Sequence, residues 1–341
     1  MFENIQNGIN GLASSLKVSR KILIITHYNP DGDAIGSSMG LYHFLKKTNH
    51  DVALMVPNDF PAFLSWMKDS AEIIVFQNQQ KKAIQIIENA DLIICVDFNE
   101  FKRLKDMGPR LDESKAIKAL IDHHPLAENS FTNIIHDTGA AASAELIYKF
   151  IVGSGSREIL DKTIAECIYT GIMTDTGNFS HNSSNPNTFK IVADLLSCNF
   201  SKDDVFNNVF NNFSHSRMQL MGYCLSEKMV VLPHLSAAYI WLTAAELEKY
   251  NFQSGDTEGF VNMPFSIKGI RVTALFSEKK DTIRISFRSR GTFSVNDLCK
   301  NHFEGGGHRN AAGGESKLPM AETLQKFEKL LETYIQEIAV S

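Results

Sequence analysis

Short apolar runs punctuate the first 125 residues, and they predict strands near 22–26, 52–56, 73–76, 92–96 and 117–121. Between several of them, apolar positions repeat at helical spacing. Apolar strands alternating with helices predict a mostly parallel sheet with helices on both faces. Helical periodicity dominates from about 140 to 225, as in AASAELIYKFI and IAECIYTGIM. The pattern then changes. AAYIWL, RVTALFS and TIRISFRS read as strands of a second, smaller mixed sheet, closed by a helix at about 320–338. The fold class expected is α/β, with a smaller α/β second domain. The Asn-rich NVFNNFSHS marks a break, and the expected boundaries are 1–190 for the first domain, 191–226 for a helical linker and 227–341 for the second.

Composition agrees with two soluble domains. A chain of 341 residues exceeds what one core usually serves, and 43% hydrophobic with 21% charged residues is ordinary for a globular protein. No apolar run approaches the roughly 20 residues of a membrane span. Phe2, Ile5, Ile9, Leu12 and Leu16 recur at helical spacing, and Glu3 stands where a secretion signal would be basic, so an amphipathic helix in a cytoplasmic protein is expected. Five cysteines, at 95, 167, 198, 224 and 299, form no C-x-x-C pair and read as buried thiols. The net charge of −5 argues against a long, sequence-independent grip on duplex nucleic acid. Its distribution adds detail: residues 228–341 carry 14 basic and 13 acidic residues, whereas the first 227 carry 20 and 26. An acidic front suits cation ligands and a balanced back suits anion contacts.

Candidate chemistry gathers where strands end. HYNPDGDAIGS, residues 27–37, follows the run Ile22 to Ile25, and brings His27, Asp31 and Asp33. Asp97 follows LIICV, and Asp122, His123 and His124 follow AIKALI. Asp175 sits where a helical pattern breaks at Thr-Asp-Thr-Gly. The carboxyl edge of a parallel sheet is where ligands bind. One Asp in a Pro-Asp-Gly turn is ordinarily structural, and an Asp-His-His can open a capped helix; four segments delivering Asp and His to one rim are not explained that way. Imidazoles with several carboxylates suit divalent transition ions, and so many carboxylates exceed the needs of one. Two ions about 3.5–4 Å apart form the two-metal phosphoester pattern.

These residues resemble the DHH phosphoesterase superfamily. HYNPDGDAIGS, VDFN at 96–99, IDHH at 121–124 and TDTGNF at 174–179 are similar to its four motifs in order, and GGGHRNAAGG at 305–314 resembles the DHH-associated domain of the RecJ-like branch. The likeness spans residues 22 to about 315 and is greatest to the nano-RNase/pAp phosphatase group. It implies one manganese ion held by His27, Asp31 and Asp97, and a second held by Asp33, Asp97, His123 and Asp175. It further implies that His124 contacts the nucleophile or the scissile phosphate, with Asp122 orienting it. Two departures stand out. Phe98-Asn99 follows Asp97 where a small hydroxyl residue is common, and Ser180-His181 follows Phe179 where arginine is frequent.

The glycine run has its own reading. Successive glycines in a turn let backbone amides approach a phosphate, so Gly306, Gly307 and His308 are candidate substrate contacts. FRSR at 287–290 could aim Arg288 at the same cleft between domains, where guanidinium matches phosphate bidentately. The activity expected is hydrolysis of very short oligonucleotides to 5′-mononucleotides, of 3′-phosphoadenosine 5′-phosphate to AMP, or both. A phosphodiesterase for linear or cyclic dinucleotides is the alternative enzyme, and a non-catalytic nucleotide-binding protein is disfavoured by the intact ligand set. A homodimer stays an open alternative.

Overall fold

The computed structural model describes residues 5–18, 20–125 and 130–340. The chain divides into two compact units, Met1–Asn212 and Phe213–Ser341.

In the first unit, strands β1 (Lys21–Ile25), β2 (Asp51–Val56), β3 (Ile74–Val75), β4 (Leu92–Val96), β5 (Ile117–Asp122) and β6 (Asn133–His136) form one parallel sheet in the order β3-β2-β1-β4-β5-β6. Residues alternate between two cores. Ile22, Ile24, Leu92, Ile94 and Val96 face one, and Leu23, Ile25, Ile93 and Cys95 face the other. That is why these strands carry no polar alternation. The helices are α1 (Gln6–Ser15), α2 (Gly32–Lys46), α3 (Gln80–Asn89), α4 (Gly108–Asp112), α5 (Ser143–Gly153), α6 (Lys162–Asp175), α7 (Pro186–Leu196) and α8 (Lys202–Phe210). Helix α1 buries Ile5, Ile9 and Leu12 as its spacing predicts, while Phe2 and Glu3 lie outside the described residues. α2, α5 and α6 cover one face of the sheet, and α3 and α4 the other.

β1 lies between β2 and β4, so the chain winds away from β1 in opposite directions on its two sides. The loops leaving β1 and β4 therefore diverge and leave a crevice at the carboxyl edge, the switch point of an open α/β sheet. Helix α2 closes that crevice from behind. It is buried from Gly32 to Leu45, and its small residues let α6 come close. A Cβ on Gly36 would stand 2.6 Å from the Gly171 nitrogen and 2.7 Å from the Cys167 carbonyl, so only glycine fits this crossing.

The expected linker is shared between the units. Ile191 and Leu195 of α7 and Val205 and Val209 of α8 join the first unit's core, which extends that unit to Asn212. The second unit contains strands β7 (Met229–Leu232), β8 (Ala237–Leu242), β9 (Val272–Glu278), β10 (Ile283–Ser289), β11 (Glu304–His308) and β12 (Ala311–Ser316), ordered β11-β12-β10-β9-β8-β7. β8 and β9 pair in parallel and the other neighbours antiparallel, making the sheet mixed. Its helices are α9 (His215–Tyr223), α10 (Ala244–Lys249), α11 (Val295–His302), α12 (Met320–Thr333) and α13 (Ile335–Val340). Phe276, Phe287 and Phe327 pack ring against ring at its core. Among the described residues no helix is long and apolar enough to cross a membrane.

Candidate metal and phosphoester site

Asp97 is the residue around which the first unit's polar groups converge. It follows β4 directly, its amide donates to the Ile121 carbonyl at 3.0 Å, and its φ is 65°. Left-handed backbone at a non-glycine residue bends the chain so that the side chain turns across the sheet edge. Its Oδ2 lies 3.5 Å from His27 Nε2, and its Oδ1 lies 3.5 Å from His123 Nε2 and 3.6 Å from His124 Nδ1.

Each neighbour is fixed by a different device. Asp31 caps α2, accepting from the amides of Asp33 and Ala34 through Oδ1 and leaving Oδ2 4.0 Å from His27 Nε2. Asp33 sits in the first turn of the same helix. Its two oxygens accept from the amides of Ser143 at 2.6 Å and Ala144 at 3.0 Å, the opening residues of α5. The Ser143 hydroxyl donates to Asp97 Oδ1 at 2.8 Å. Asp175 ends α6 and approaches His123 Nε2 at 3.7 Å, with Asp33 on the same nitrogen at 3.9 Å.

The histidines divide into two kinds. His27 Nδ1 faces the Tyr28 carbonyl at 3.0 Å and His123 Nδ1 faces the Ala140 carbonyl at 3.3 Å. A ring nitrogen opposite a carbonyl must carry hydrogen, so Nε2 is the nitrogen each ring turns toward carboxylates, a lone pair when the ring is neutral and a donor when it holds a proton. Lone pairs opposed to carboxylate oxygens call for a cation between them, and this is the arrangement of metal-ligating imidazoles. His124 is oriented the other way, with Nδ1 2.8 Å from Asp122 Oδ1. Asp122 Oδ2 is buried without a hydrogen-bond partner among the described residues.

The electrostatics carry the same message. Burial, and then the charges of Asp97, Asp175 and Asp31, push the Asp33 carboxyl well above its ordinary range. Burial would also raise Asp97, but the His27 hydrogen bond and the charges of His124 and His123 hold it far below. Burial opposes protonation of His27 and His123; the hydrogen bond to Asp97 overcomes it at His27, and the charges of Asp175 and Asp97 overcome it at His123, so both are raised. At His124 burial wins over Asp122 and the ring is held below its ordinary value. A divalent ion would relieve this mutual repulsion. Two sets, His27 with Asp31 and Asp97, and Asp33 with His123 and Asp175, each offer ligand atoms within 4.8 Å of one another.

All six ligands expected from the sequence thus meet in the first unit, with Asp122 and His124 beside them. Arg288, Gly306, Gly307 and His308 lie in the second unit. There the expected turn is strand β11, and its glycines serve the pairing with β12: a Cβ on Gly305 would fall 2.0 Å from the Gly313 carbonyl. The Gly307 amide donates to Asn296 Oδ1 at 2.9 Å, so it is not an open anion donor. Arg288 and His308 do come together. Both pair with Ala311 in register, one from β10 and one from β11, which puts them in one row on one face of the sheet. The Arg288 guanidinium also donates to the Phe287 carbonyl.

Ser143, Ala144 and His136 escaped the sequence reading, and Asn99 stood in it only as a departure from the family pattern. His136 Nε2 meets the His124 carbonyl at 2.6 Å and the Asn99 amide donates to the Pro125 carbonyl, so both brace the Asp-His-His segment.

The model of the DHH family, N-terminal domain, matches residues 21–172, and that of the DHHA1 domain matches residues 236–339. The chain belongs to the DHH family. Among DHH proteins it is 29% identical to the bifunctional oligoribonuclease and PAP phosphatase NrnA of Bacillus subtilis, over 89% of this chain and 91% of that one. It is 28% identical to the protein of the same name from Thermus thermophilus, over 94% and 91%. The crystal structure of an exopolyphosphatase-related protein from Bacteroides fragilis superposes with a TM-score of 0.92 at 42% identity, covering 98% of both chains. RecJ of Thermus thermophilus, crystallised with Mn2+, shares the fold at 10% identity and a TM-score of 0.54, over 98% of this chain and 55% of that one.

Proposed function

We propose that this DHH protein is a cytoplasmic, two-manganese phosphoesterase that releases mononucleotides from very short oligonucleotides and removes the 3′-phosphate of 3′-phosphoadenosine 5′-phosphate. The observation that carries the reading is the convergence of His27, Asp31, Asp33, Asp97, His123 and Asp175 with two imidazole Nε2 atoms turned to carboxylates. The names borne by the relatives from Bacillus and Thermus supply the substrate class. Five free thiols agree with a reducing compartment.

His27, Asp31 and Asp97 would hold one ion, and Asp33, Asp97, His123 and Asp175 the other. When bound, two such ions supply Lewis acidity and neutralise phosphoryl charge. The chain's own contribution is positional. Asp122 fixes His124 as the Nδ1–H tautomer, and burial keeps the ring neutral, so Nε2 is a hydrogen-bond acceptor suited to the attacking water or, once protonated, to a phosphoryl oxygen. In the second unit the row of Arg288 and His308 would receive the far phosphate, flanked by Gly306 and Gly307.

The test is a substrate panel with purified protein and Mn2+: 3′-phosphoadenosine 5′-phosphate, a dinucleotide, oligonucleotides of increasing length, a cyclic dinucleotide and polyphosphate. Turnover should favour the first two and fall steeply beyond about five nucleotides, since a pocket-sized site stacks only a few bases. Equal processing of a two-mer and a twenty-mer would sink the reading.

A further inference from the structure

Helix α5 is buried from Ser143 to Ile151, and Lys149 lies within that stretch with 4% of its surface exposed. A lysine is seldom so covered unless its ammonium is paired. Here Nζ stands 3.2 Å from Asp137 Oδ2 and 4.0 Å from the buried Glu145 carboxyl, one turn back along the helix. Asp137 follows β6 and opens the turn that runs on into α5. The Lys149 pair therefore ties the start of that turn to the helix at its end.

This turn is where the candidate ligands are held. Asp137 Oδ1 accepts the Gly139 amide at 2.9 Å, and the Asp137 carbonyl accepts the Ala140 amide at 3.1 Å. Both bonds aim the Ala140 carbonyl, which lies 3.3 Å from His123 Nδ1. The Ala141 carbonyl accepts from the Asn182 side chain at 3.3 Å, in the segment that follows Asp175. Just beyond, the Ser143 and Ala144 amides hold Asp33, and the Ser143 hydroxyl holds Asp97. Asp33, Asp97 and His123 thus each bond this turn or the helix start it leads to. An aliphatic side chain at 149 would pack against the same neighbours without a charge to desolvate, and a buried ion pair often adds nothing to stability over such a replacement. A charge kept there is explained by the geometry it fixes.

We propose that Lys149 is a positioning residue for the ion assigned to Asp33, Asp97, His123 and Asp175: through its pair with Asp137 it fixes the turn whose Ala140 carbonyl sets the direction of the His123 ring. This rests on the metal-site part of the reading above.

The experiment titrates Mn2+ calorimetrically into chelator-stripped wild type, Lys149→Met, Asp137→Asn and the double variant, with thermal unfolding of the stripped samples measured beside it. Methionine fills the space of the lysine stem without the charge. Asparagine keeps an oxygen for the Gly139 amide and loses only the charge. Each single variant should bind Mn2+ about 10-fold more weakly, the low end of what an outer partner of a ligating imidazole contributes. The double variant should be no weaker than either, because the pair acts as one unit; independent effects would multiply to about 100-fold. Unfolding should shift little. Asp137 is partly open to water, and burial already raises the Glu145 carboxyl, so neither is left as an isolated buried charge. A pair that only stabilised the fold would lower the unfolding temperature and leave Mn2+ affinity within twofold of wild type. That result, or multiplying effects in the double variant, would overturn the proposal. Should Lys149→Met fail to fold, the partly exposed Asp137→Asn decides alone, and unchanged Mn2+ affinity in it would be fatal. A wild type that takes up no Mn2+ would overturn the metal reading and this inference together, whereas wild-type binding matched by the variants defeats only this one.

Discussion

Replacing Ser143 by alanine removes one hydroxyl from a fully buried position and leaves the backbone intact. The 2.8 Å bond to Asp97 Oδ1 disappears, while the two amide bonds that hold Asp33 remain because they come from the main chain. A hydrogen bond to a charged group contributes about 1.5–3 kcal/mol. Asp97 still meets His27 and His123, so the residue does not become an isolated charge, and the expected loss lies in its orientation rather than in the fold. Partners that orient a metal-binding carboxylate are typically worth about 10- to 100-fold in metal affinity. Calorimetric titration of Mn2+ into chelator-stripped protein should show that loss, and thermal unfolding of the stripped protein should change little by comparison. Mn2+ affinity within twofold of wild type, together with a lowered unfolding temperature, would show that the hydroxyl only fills space and would refute the reasoning.

Two further outcomes follow from named contacts. His123→Ala should lose bound Mn2+, whereas His124→Ala should keep it and lose turnover by roughly 100- to 10,000-fold, the range of a positioned acid–base group; metal analysis beside kinetics checks this, and equal metal loss in both would reject the division of roles. In the second unit, burial would raise the Glu246 carboxyl, but the Lys228 ammonium, the Thr243 amide and the Tyr223 hydroxyl hold it down to about 2. A depressed carboxylate contributes stability that is complete above the unfolded value of about 4.3 and is lost as pH falls toward 2. Denaturant unfolding of Glu246→Gln should therefore show a deficit at pH 7 that narrows at pH 3; a constant deficit would mean packing, not charge.

Much of the first unit was legible because each strand is buried on both faces, so β1, β4 and β5 stand out as continuous apolar runs, and the candidate ligands His27, Asp97 and His123 follow their ends. β6 did not stand out. Four residues, Asn133 to His136, are too few for a period, yet they deliver His136 to the Asp-His-His backbone. Ser143 was hidden because it acts partly through its amide, which no side-chain pattern reveals. Helices α7 and α8 read as a linker since their exposed faces are polar, and only packing shows Ile191, Leu195, Val205 and Val209 turned inward. The Gly305–Gly307 run reads as a turn from glycine's freedom, whereas the structure uses the missing side chains to bring two strands together.

The left-handed backbone of Asp97 bears on how this residue can be interrogated. Any Cβ crowds the neighbouring carbonyl in that conformation, at a cost of roughly 1–2 kcal/mol; the short polar side chains of Asp and Asn offset it by local hydrogen bonding, and alanine has none to offer. Asp97→Ala therefore deletes a carboxylate and, at the same time, loads the bend between β4 and the sheet edge. Asp97→Asn removes the charge and keeps the bend. Glycine also keeps the bend, and it offers nothing to the crevice. Measured side by side, the three replacements separate what the carboxylate does for its neighbours from what the main chain does for the carboxylate.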